Sequence, residues 1–286
     1  LCLAGVSIVN SDSQAREKHN IFAIQVIVQN FTILTVMGLA IYYYGVKSGA
    51  ETIKSYSLAI IIFYAFLLVV MLRLRNGNGI ERLDRSFWLY GLKGFSLNFL
   101  GILLYSIDIL IILYLLGKES VAIYNVAALT AKSLWMVIDS IGLVAFPKMI
   151  ATTREEELRW VKEAIKISVI FCFIPAIVFL LIGEAFIVNF FGESYRDSIY
   201  TAYILIAASF PLVLYKIGSR LAAAKQLWSV TYFVLILSVL LNVALNFLLI
   251  PSFGIEGAAF SSLLTYTLCG FLLAYKIKIF SFPWYK

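Results

Sequence analysis

Four charged residues stand inside long apolar stretches of this 286-residue sequence, and they are the residues most able to do chemistry there. Lys93 and Asp108 belong to one stretch, and Lys132 and Asp139 to the next. Charged side chains inside a bilayer are costly, so those that occur there line ion or substrate pathways or pair with one another. We therefore take Lys93 and Lys132 as candidates for substrate binding. Asp108 and Asp139 are candidates for ion coupling or charge pairing.

The composition places these charges in a membrane. The chain is 62% apolar and only 14% charged, whereas soluble domains are about 45–50% apolar. Several windows exceed the ~18 apolar residues that indicate a spanning helix. These features predict an all-α polytopic membrane protein rather than a β-barrel, which is built from short alternating segments.

Eight apolar spans are predicted, at 21–45, 55–72, 88–116, 121–146, 164–191, 199–215, 228–250 and 255–275. Two Asn-Gly pairs in 73–87 make this loop the predicted boundary between lobes. Residues 1–72 would end an N-terminal lobe, and 88–286 would form a six-helix C-terminal lobe. Because 1–9 are apolar and lack a basic leader, we expect an N-terminally truncated fragment. A capping-box pattern predicts a surface helix over 152–166.

The basic residues predict the orientation. Of the 23 Lys and Arg residues, 17 fall in one set of alternate loops and 4 in the other, the remaining two being Lys93 and Lys132. Positively charged loops are typically cytoplasmic, so both ends of the chain are predicted to be cytoplasmic. Lys216 and Arg220 are counted among the 17 loop residues. This topology accounts for the net charge of +7 without a nucleic-acid partner.

Residues 88–147 form a predicted helical hairpin with its turn at 117–120, outside the membrane. At ~1.5 Å per residue, Asp108 and Lys132 both lie roughly 13–17 Å below that turn. Asp139 lies about 27 Å down and Lys93 about 36 Å, a gap that a lysine side chain can partly span. Two cross-helix pairs are therefore feasible, Asp108 with Lys132 and Asp139 with Lys93. Such pairs would fix the helix register, or the charges would line a partly hydrated cavity for an anionic substrate or a coupling cation; both readings stay open.

Three further polar residues lie in or beside this hairpin, namely Tyr105, Tyr124 and Asn125. They are candidates for substrate binding, because tyrosine rings in a cavity can stack on sugars. Burial between helices is the more common fate of such tyrosines, and it stays open as the alternative.

The predicted outer loops lack a cluster of acids and histidine, and the sequence has no glycine-rich phosphate loop followed by Lys-Ser or Lys-Thr. Neither the three scattered cysteines nor the single His19 has the spacing of a metal site. We therefore predict a protein that is not an enzyme and that uses neither a metal nor another cofactor.

Four stretches together carry a resemblance to a known family, at 106–127, 141–149, 190–212 and 240–266. The last contains Asn242, Asn246, Pro251, Gly254 and Gly257 in an Asn-x3-Asn-x4-Pro-x2-Gly-x2-Gly pattern. With this order and spacing, the chain resembles the oligosaccharide flippases. These are the O-antigen and repeat-unit translocases of the multidrug/oligosaccharidyl-lipid/polysaccharide exporter superfamily.

The resemblance implies two six-helix lobes, with 21–72 as helices five and six and 88–286 as helices seven to twelve. It also implies a function: flipping of oligosaccharides linked through pyrophosphate to a polyprenol, across the inner (plasma) membrane, by alternating access driven by a cation gradient. Such flipping serves surface polysaccharides, including the O-antigen of lipopolysaccharide. The implied partners are the lipid-linked oligosaccharide, membrane lipids and other polysaccharide-assembly proteins.

Two other functions stay open. A multidrug/cation antiporter of the same superfamily would share the fold, although two intramembrane lysines favour an anionic substrate over cationic drugs. A membrane polymerase of polysaccharide assembly would require a large outer loop with clustered charges, which the predicted topology lacks.

Overall fold

The computed structural model describes residues 85–150 and 153–279, together with the isolated positions 35, 42, 58, 61 and 62. The chain divides into two compact units, Leu1–Leu83 and Asp84–Lys286. The two long described ranges belong to the second unit. Apart from the isolated positions, the predicted spans at 21–45 and 55–72 lie outside the described residues. That the two units are lobes of a transporter stays a prediction.

Five helices and one 3₁₀ turn make up the two long described ranges, which contain no strand. They are α1 (Arg85–Leu115), α2 (Lys118–Ile150), α3 (Arg154–Phe191), the 3₁₀ turn Glu193–Tyr195, α4 (Ser198–Ala224) and α5 (Trp228–Lys276). All five helices are long and apolar enough to cross a bilayer. The predicted all-α polytopic membrane fold is confirmed.

The longest helix, α5, supplies two of the predicted spans. Its 49 residues would extend about 73 Å at ~1.5 Å per residue, more than twice the thickness of a hydrocarbon core. The helix is interrupted at Gly254, where φ is 59° and ψ is −140°. Glycine adopts this backbone conformation without the steric cost that other residues incur. The segments on either side of Gly254 correspond to the predicted spans 228–250 and 255–275.

The start of α3 follows the predicted capping box. The Glu156 N–H lies 3.5 Å from the Thr153 hydroxyl oxygen, and the Thr153 N–H lies 3.4 Å from a Glu156 carboxylate oxygen. This reciprocal pair satisfies backbone groups that an uncapped helix would leave without partners. The predicted surface helix is present, but it runs without a break into the predicted span at 164–191.

Two predicted helix ends are wrong. The sequence places a helix end at Pro147 and another at 215, but α2 continues to Ile150 and α4 to Ala224. Lys216 and Arg220 are therefore helical residues rather than loop residues. The prediction at 215 fails because basic residues were taken to mark a loop, whereas these two have an acidic partner, Asp139, on the neighbouring helix α2.

The core is arranged around α4, which packs against α5, α2 and α3. In its most apolar window 67% of α4 is buried, against 22% for α3. In contrast, α1 packs mainly on α5 and much less on α2, its neighbour in the hairpin. A Cβ atom on Gly270 would lie only 2.4 Å from the carbonyl oxygen of Pro211, so glycine is what lets α5 approach α4 there.

Candidate functional site

Asp108 lies in the interior, with 2% of its surface exposed. The Tyr124 phenol donates a hydrogen bond to Oδ2, and the Ser262 hydroxyl donates to the same oxygen at 3.2 Å. The Ile109 N–H donates to Oδ1 at 3.0 Å. A buried carboxylate needs such donors because no water replaces them. Asp108 is thus held by groups from α1, α2 and α5.

The predicted pairing of Asp108 with Lys132 is present only as a longer-range electrostatic attraction, and the two side chains form no ion pair. Asp108 lies level with Tyr124, which precedes Lys132 by eight residues, or about 12 Å along α2. Lys132 is half-buried, and no acid within the described ranges lies close enough to form an ion pair with it. Counting residues from the turn gave similar depths but not the rotation of each helix, and rotation decides which side chains meet.

The predicted pair between Asp139 and Lys93 is wrong, because Asp139 faces α4 instead. Lys216 Nζ lies 2.6 Å from Asp139 Oδ2. Arg220 Nη2 lies 3.4 Å from Oδ1 and donates to the Asp139 carbonyl oxygen at 3.1 Å. Lys93 is exposed near the start of α1, where its backbone carbonyl accepts from the Tyr232 hydroxyl at 3.0 Å. Asp139 and Lys93 do not meet because α2 packs mainly on α4 and much less on α1.

A glycine makes room for the Arg220 side chain. A Cβ atom on Gly142 would lie 2.5 Å from Arg220 Nε and 2.8 Å from its Cδ. The guanidinium stem therefore lies against the bare backbone of α2, one turn from Asp139. We call Asp139, Lys216 and Arg220 the basic cluster. Its two positive charges face one negative charge, so the cluster has an excess of positive charge.

Aromatic rings surround Lys216, the more deeply buried cation of the basic cluster. The rings of Tyr105 and Trp135 lie 5.0 Å apart, and each lies 5.9 Å from Tyr266. Lys216 Nζ lies 5.5 Å from the Tyr105 ring centre and 5.6 Å from that of Trp135. Both distances allow a cation–π attraction, which is stronger where water is excluded. Trp135 is itself fixed by a hydrogen bond from its Nε1 to the Ser209 hydroxyl at 2.9 Å.

The two remaining candidates for substrate binding, Tyr124 and Asn125, differ in the exposure of their side chains. Tyr124 is 1% exposed, so its ring has no free face. Asn125 is exposed on α2. The structure thus brings Asp108 together with Tyr124, and Asp139 together with Lys216 and the Tyr105 ring. It brings neither Lys93 nor Lys132 into ion-pair contact with either acid, although Lys132 attracts Asp108 at longer range.

The exposed surface of α2 differs from that of the other long helices. It carries Asn125, Ser133 and Ser140 as well as the apolar Leu129, Met136 and Val144, and the half-exposed Lys132 and Asp139 lie beside them. The exposed surface of α3 after its first turns is apolar, with Ile170, Phe171, Phe173, Ile174, Ile177, Val178, Leu180, Leu181, Ile182, Phe186 and Phe190. Polar side chains on a membrane helix usually face the bundle interior or water, so this polar face of α2 is the candidate pathway surface.

The sequence analysis missed four contributors: Lys216, Arg220, Trp135 and Ser262. Lys216 and Arg220 are four residues apart and therefore share a helix face. That spacing would have identified them, had the span at 199–215 been extended through the helix-compatible residues that follow. Nothing in the sequence singles out Ser262 or Trp135 among so many serines and aromatic residues.

A curated relative, an uncharacterized membrane protein of Methanocaldococcus jannaschii, is 24% identical over 160 residues, which cover 56% of this chain and 38% of that protein. The chain thus spans well under half the length of this relative.

Two solved structures share the fold. A crystal structure of a MATE mutant has a TM-score of 0.71 and 13% identity, covering 94% of this chain and 64% of that one. An inward-facing multidrug resistance MATE family transporter of the MOP superfamily has a TM-score of 0.50 and 19% identity, covering 63% and 42%. A family model described as polysaccharide biosynthesis protein matches residues 1–200. The chain therefore belongs to the polysaccharide biosynthesis protein family, as the sequence resemblance predicts, and is built on the fold of the MATE proteins.

Proposed function

We propose that the protein flips oligosaccharides, linked through pyrophosphate to a polyprenol, from the cytoplasmic to the outer leaflet of the plasma membrane. The whole protein would do so by alternating access coupled to a cation gradient. Family membership supports a role in polysaccharide assembly, and the MATE-like fold supports a transport mechanism. The observation that supports the proposal is Lys132, an intramembrane cation on the exposed face of α2 that forms no ion pair with the acids of the described residues and is neutralised only by a longer-range attraction to Asp108.

A cation inside a membrane that lacks an ion-pair contact is destabilising unless a counter-charge reaches it. A pyrophosphate group would supply that charge during each transport cycle. Asn125 lies seven residues before Lys132, on the same side of α2, where its amide would bind sugar hydroxyls. Lys93, exposed near the start of α1, would contact the substrate at the cytoplasmic entrance. The apolar surfaces of α3 and α5 would stay in lipid beside the polyprenol tail.

The aspartates and tyrosines have different roles in this proposal. Asp108 would serve ion coupling, with Tyr124 as its hydrogen-bond support rather than a sugar-stacking residue. Tyr105 would hold Lys216 and would meet substrate only through its partly exposed edge.

Reconstitution of the full-length protein into liposomes tests the proposal. A lipid-linked oligosaccharide in the inner leaflet becomes accessible to an added membrane-impermeant glycosidase only after flipping. We expect Lys132→Gln to lower the initial flipping rate about tenfold, equivalent to roughly 1.4 kcal/mol. Lys118→Gln is the matched control, because Lys118 is exposed at the outer start of the same helix.

Two results would contradict the proposal. Wild-type protein that accelerates flipping no more than protein-free liposomes would exclude a flippase. Extrusion of cationic dyes by the same liposomes would then favour the multidrug/cation antiporter, the second candidate, which the MATE-like fold also supports. Equal rates for the two lysine variants would remove Lys132 from the substrate pathway.

A further inference from the structure

The basic cluster differs from an ordinary structural ion pair in how its charges are exposed. The Asp139 side chain is 47% exposed, whereas those of Lys216 and Arg220 are 10% and 25% exposed. The acid therefore stands on the outside and covers two more deeply placed cations. An ion pair whose only purpose was to connect α2 and α4 would not need its carboxylate at the surface.

The two cations are held in place by groups other than the Asp139 side chain. Lys216 faces the rings of Tyr105 and Trp135, and Trp135 is fixed by Ser209. Arg220 lies against Gly142 and donates to the backbone carbonyl oxygen of Asp139, which does not move when the Asp139 side chain rotates. If the Asp139 side chain rotated away, both cations would remain where they are, separated by one helical turn on the face of α4 that Asp139 now covers.

We propose that Asp139 is a built-in substitute for a substrate anion, and that Lys216 and Arg220 form a diphosphate-binding site which an incoming pyrophosphate occupies by displacing the Asp139 carboxylate. Two cations one turn apart suit a group with two phosphates, and a guanidinium binds phosphate oxygens in a bidentate manner. In the predicted topology α4 ends in the cytoplasm, so Arg220 and Lys216 lie about 6 and 12 Å from that end. This is the side on which a lipid-linked precursor would enter.

The exchange has a physical advantage for a transporter. A site with two uncovered cations would bind its anion too tightly to release it, and would be costly when empty. Competition from Asp139 lowers the affinity and keeps the empty site neutralised in part. This inference deepens the proposed function, since it assigns the entry site for the pyrophosphate of the substrate.

Binding of inorganic pyrophosphate to the purified full-length protein tests the exchange without requiring transport. We expect Asp139→Asn to bind pyrophosphate about tenfold more tightly than wild type in a calorimetric titration, because the internal competitor has lost its charge. The gain should disappear in Asp139→Asn combined with Arg220→Gln. The control is Asp197→Asn, an exposed acid before α4, which should leave the affinity unchanged.

An affinity of Asp139→Asn equal to that of wild type would overturn the proposal, as would a gain that persists in the double variant. Should Asp139→Asn fail to melt cooperatively in phosphate-free buffer, added pyrophosphate must restore the transition, and must fail to do so in the double variant. Absence of that rescue would equally overturn the exchange.

The phosphate of an anionic phospholipid has similar chemistry. Titrations in nanodiscs that contain phosphatidylglycerol distinguish the two sources: retained pyrophosphate binding supports the diphosphate assignment, and loss of binding overturns it. The two proposals also fail separately. Normal flipping by wild type without a gain in Asp139→Asn rejects only the exchange, whereas a gain in binding by a protein that does not flip rejects only the flippase.

Discussion

Replacement of Tyr124 by phenylalanine removes one hydroxyl group and nothing else from the interior. That hydroxyl donates to Asp108, and both residues are at most 2% exposed, so water cannot take its place. A hydrogen bond to a charged group contributes about 1.5–3 kcal/mol. Because the Ser262 hydroxyl and the Ile109 N–H remain, we expect a loss near the middle of that range, about 2 kcal/mol.

Thermal unfolding of the full-length protein in detergent measures this loss. For domains of 150–250 residues, 1 kcal/mol corresponds to about 2–4 °C in Tm, so Tyr124→Phe should unfold roughly 4–8 °C below wild type. Tyr114→Phe makes the same chemical change on α1, where the side chain is 80% exposed, and should leave Tm unchanged. Equal Tm values for the two variants would show that Asp108 does not depend on the Tyr124 hydroxyl, and would refute the reasoning that removes Tyr124 from the substrate-binding set.

Two glycine substitutions probe close approaches between helices. Gly270→Ala places a Cβ 2.4 Å from the carbonyl oxygen of Pro211 and should destabilise the protein by about 1–3 kcal/mol. The control is Gly101→Ala, where the nearest atom is 3.9 Å away, and this variant should be as stable as wild type. Equal melting curves for the two variants would contradict the close packing of α4 on α5. Gly142→Ala should push the Arg220 side chain aside and weaken pyrophosphate binding about tenfold without altering any charge. An unchanged titration would show that the position of Arg220 is irrelevant to the anion.

The elements of the described unit were largely predictable because they depend on local patterns. Long apolar runs give the helices, and a glycine with positive φ at position 117 ends the first arm of the hairpin. The helix cap at Thr153 is likewise predictable from four consecutive residues, 153–156. The extension of α4 past 215 had a local signal in the spacing of Lys216 and Arg220, but the acid that they share was not predictable from it, because Asp139 lies 77 residues before Lys216 in the chain.

The candidate site shows the same division between local and distant information. That Asp108 and Asp139 are special follows from a charge within an apolar run, and the structure gives each of them specific partners. Which partners they have follows from helix packing, since α2 packs on α4 and α1 packs on α5. A depth count along two neighbouring helices contains no information about that choice, and neither of the two pairs inferred from it forms an ion pair in the structure.

Asp108 and Asp139 therefore differ in burial and in how their partners are held, and this difference suggests how substrate binding and ion coupling would be divided between them. Asp108 is enclosed by donors from three helices, so a change at Asp108 must disturb the packing of α1, α2 and α5 together. Asp139 is half-exposed and bonded to side chains that are held independently, so it can exchange partners without moving a helix. An anion at the basic cluster would be bound and released locally, whereas an ion or proton at Asp108 would act on the bundle as a whole.

Substitutions at Asp139 should accordingly change substrate affinity at constant ion dependence, and Asp108→Asn should change ion dependence at constant pyrophosphate affinity. If both substitutions alter both quantities, the two acids belong to one coupled site and this separation is wrong.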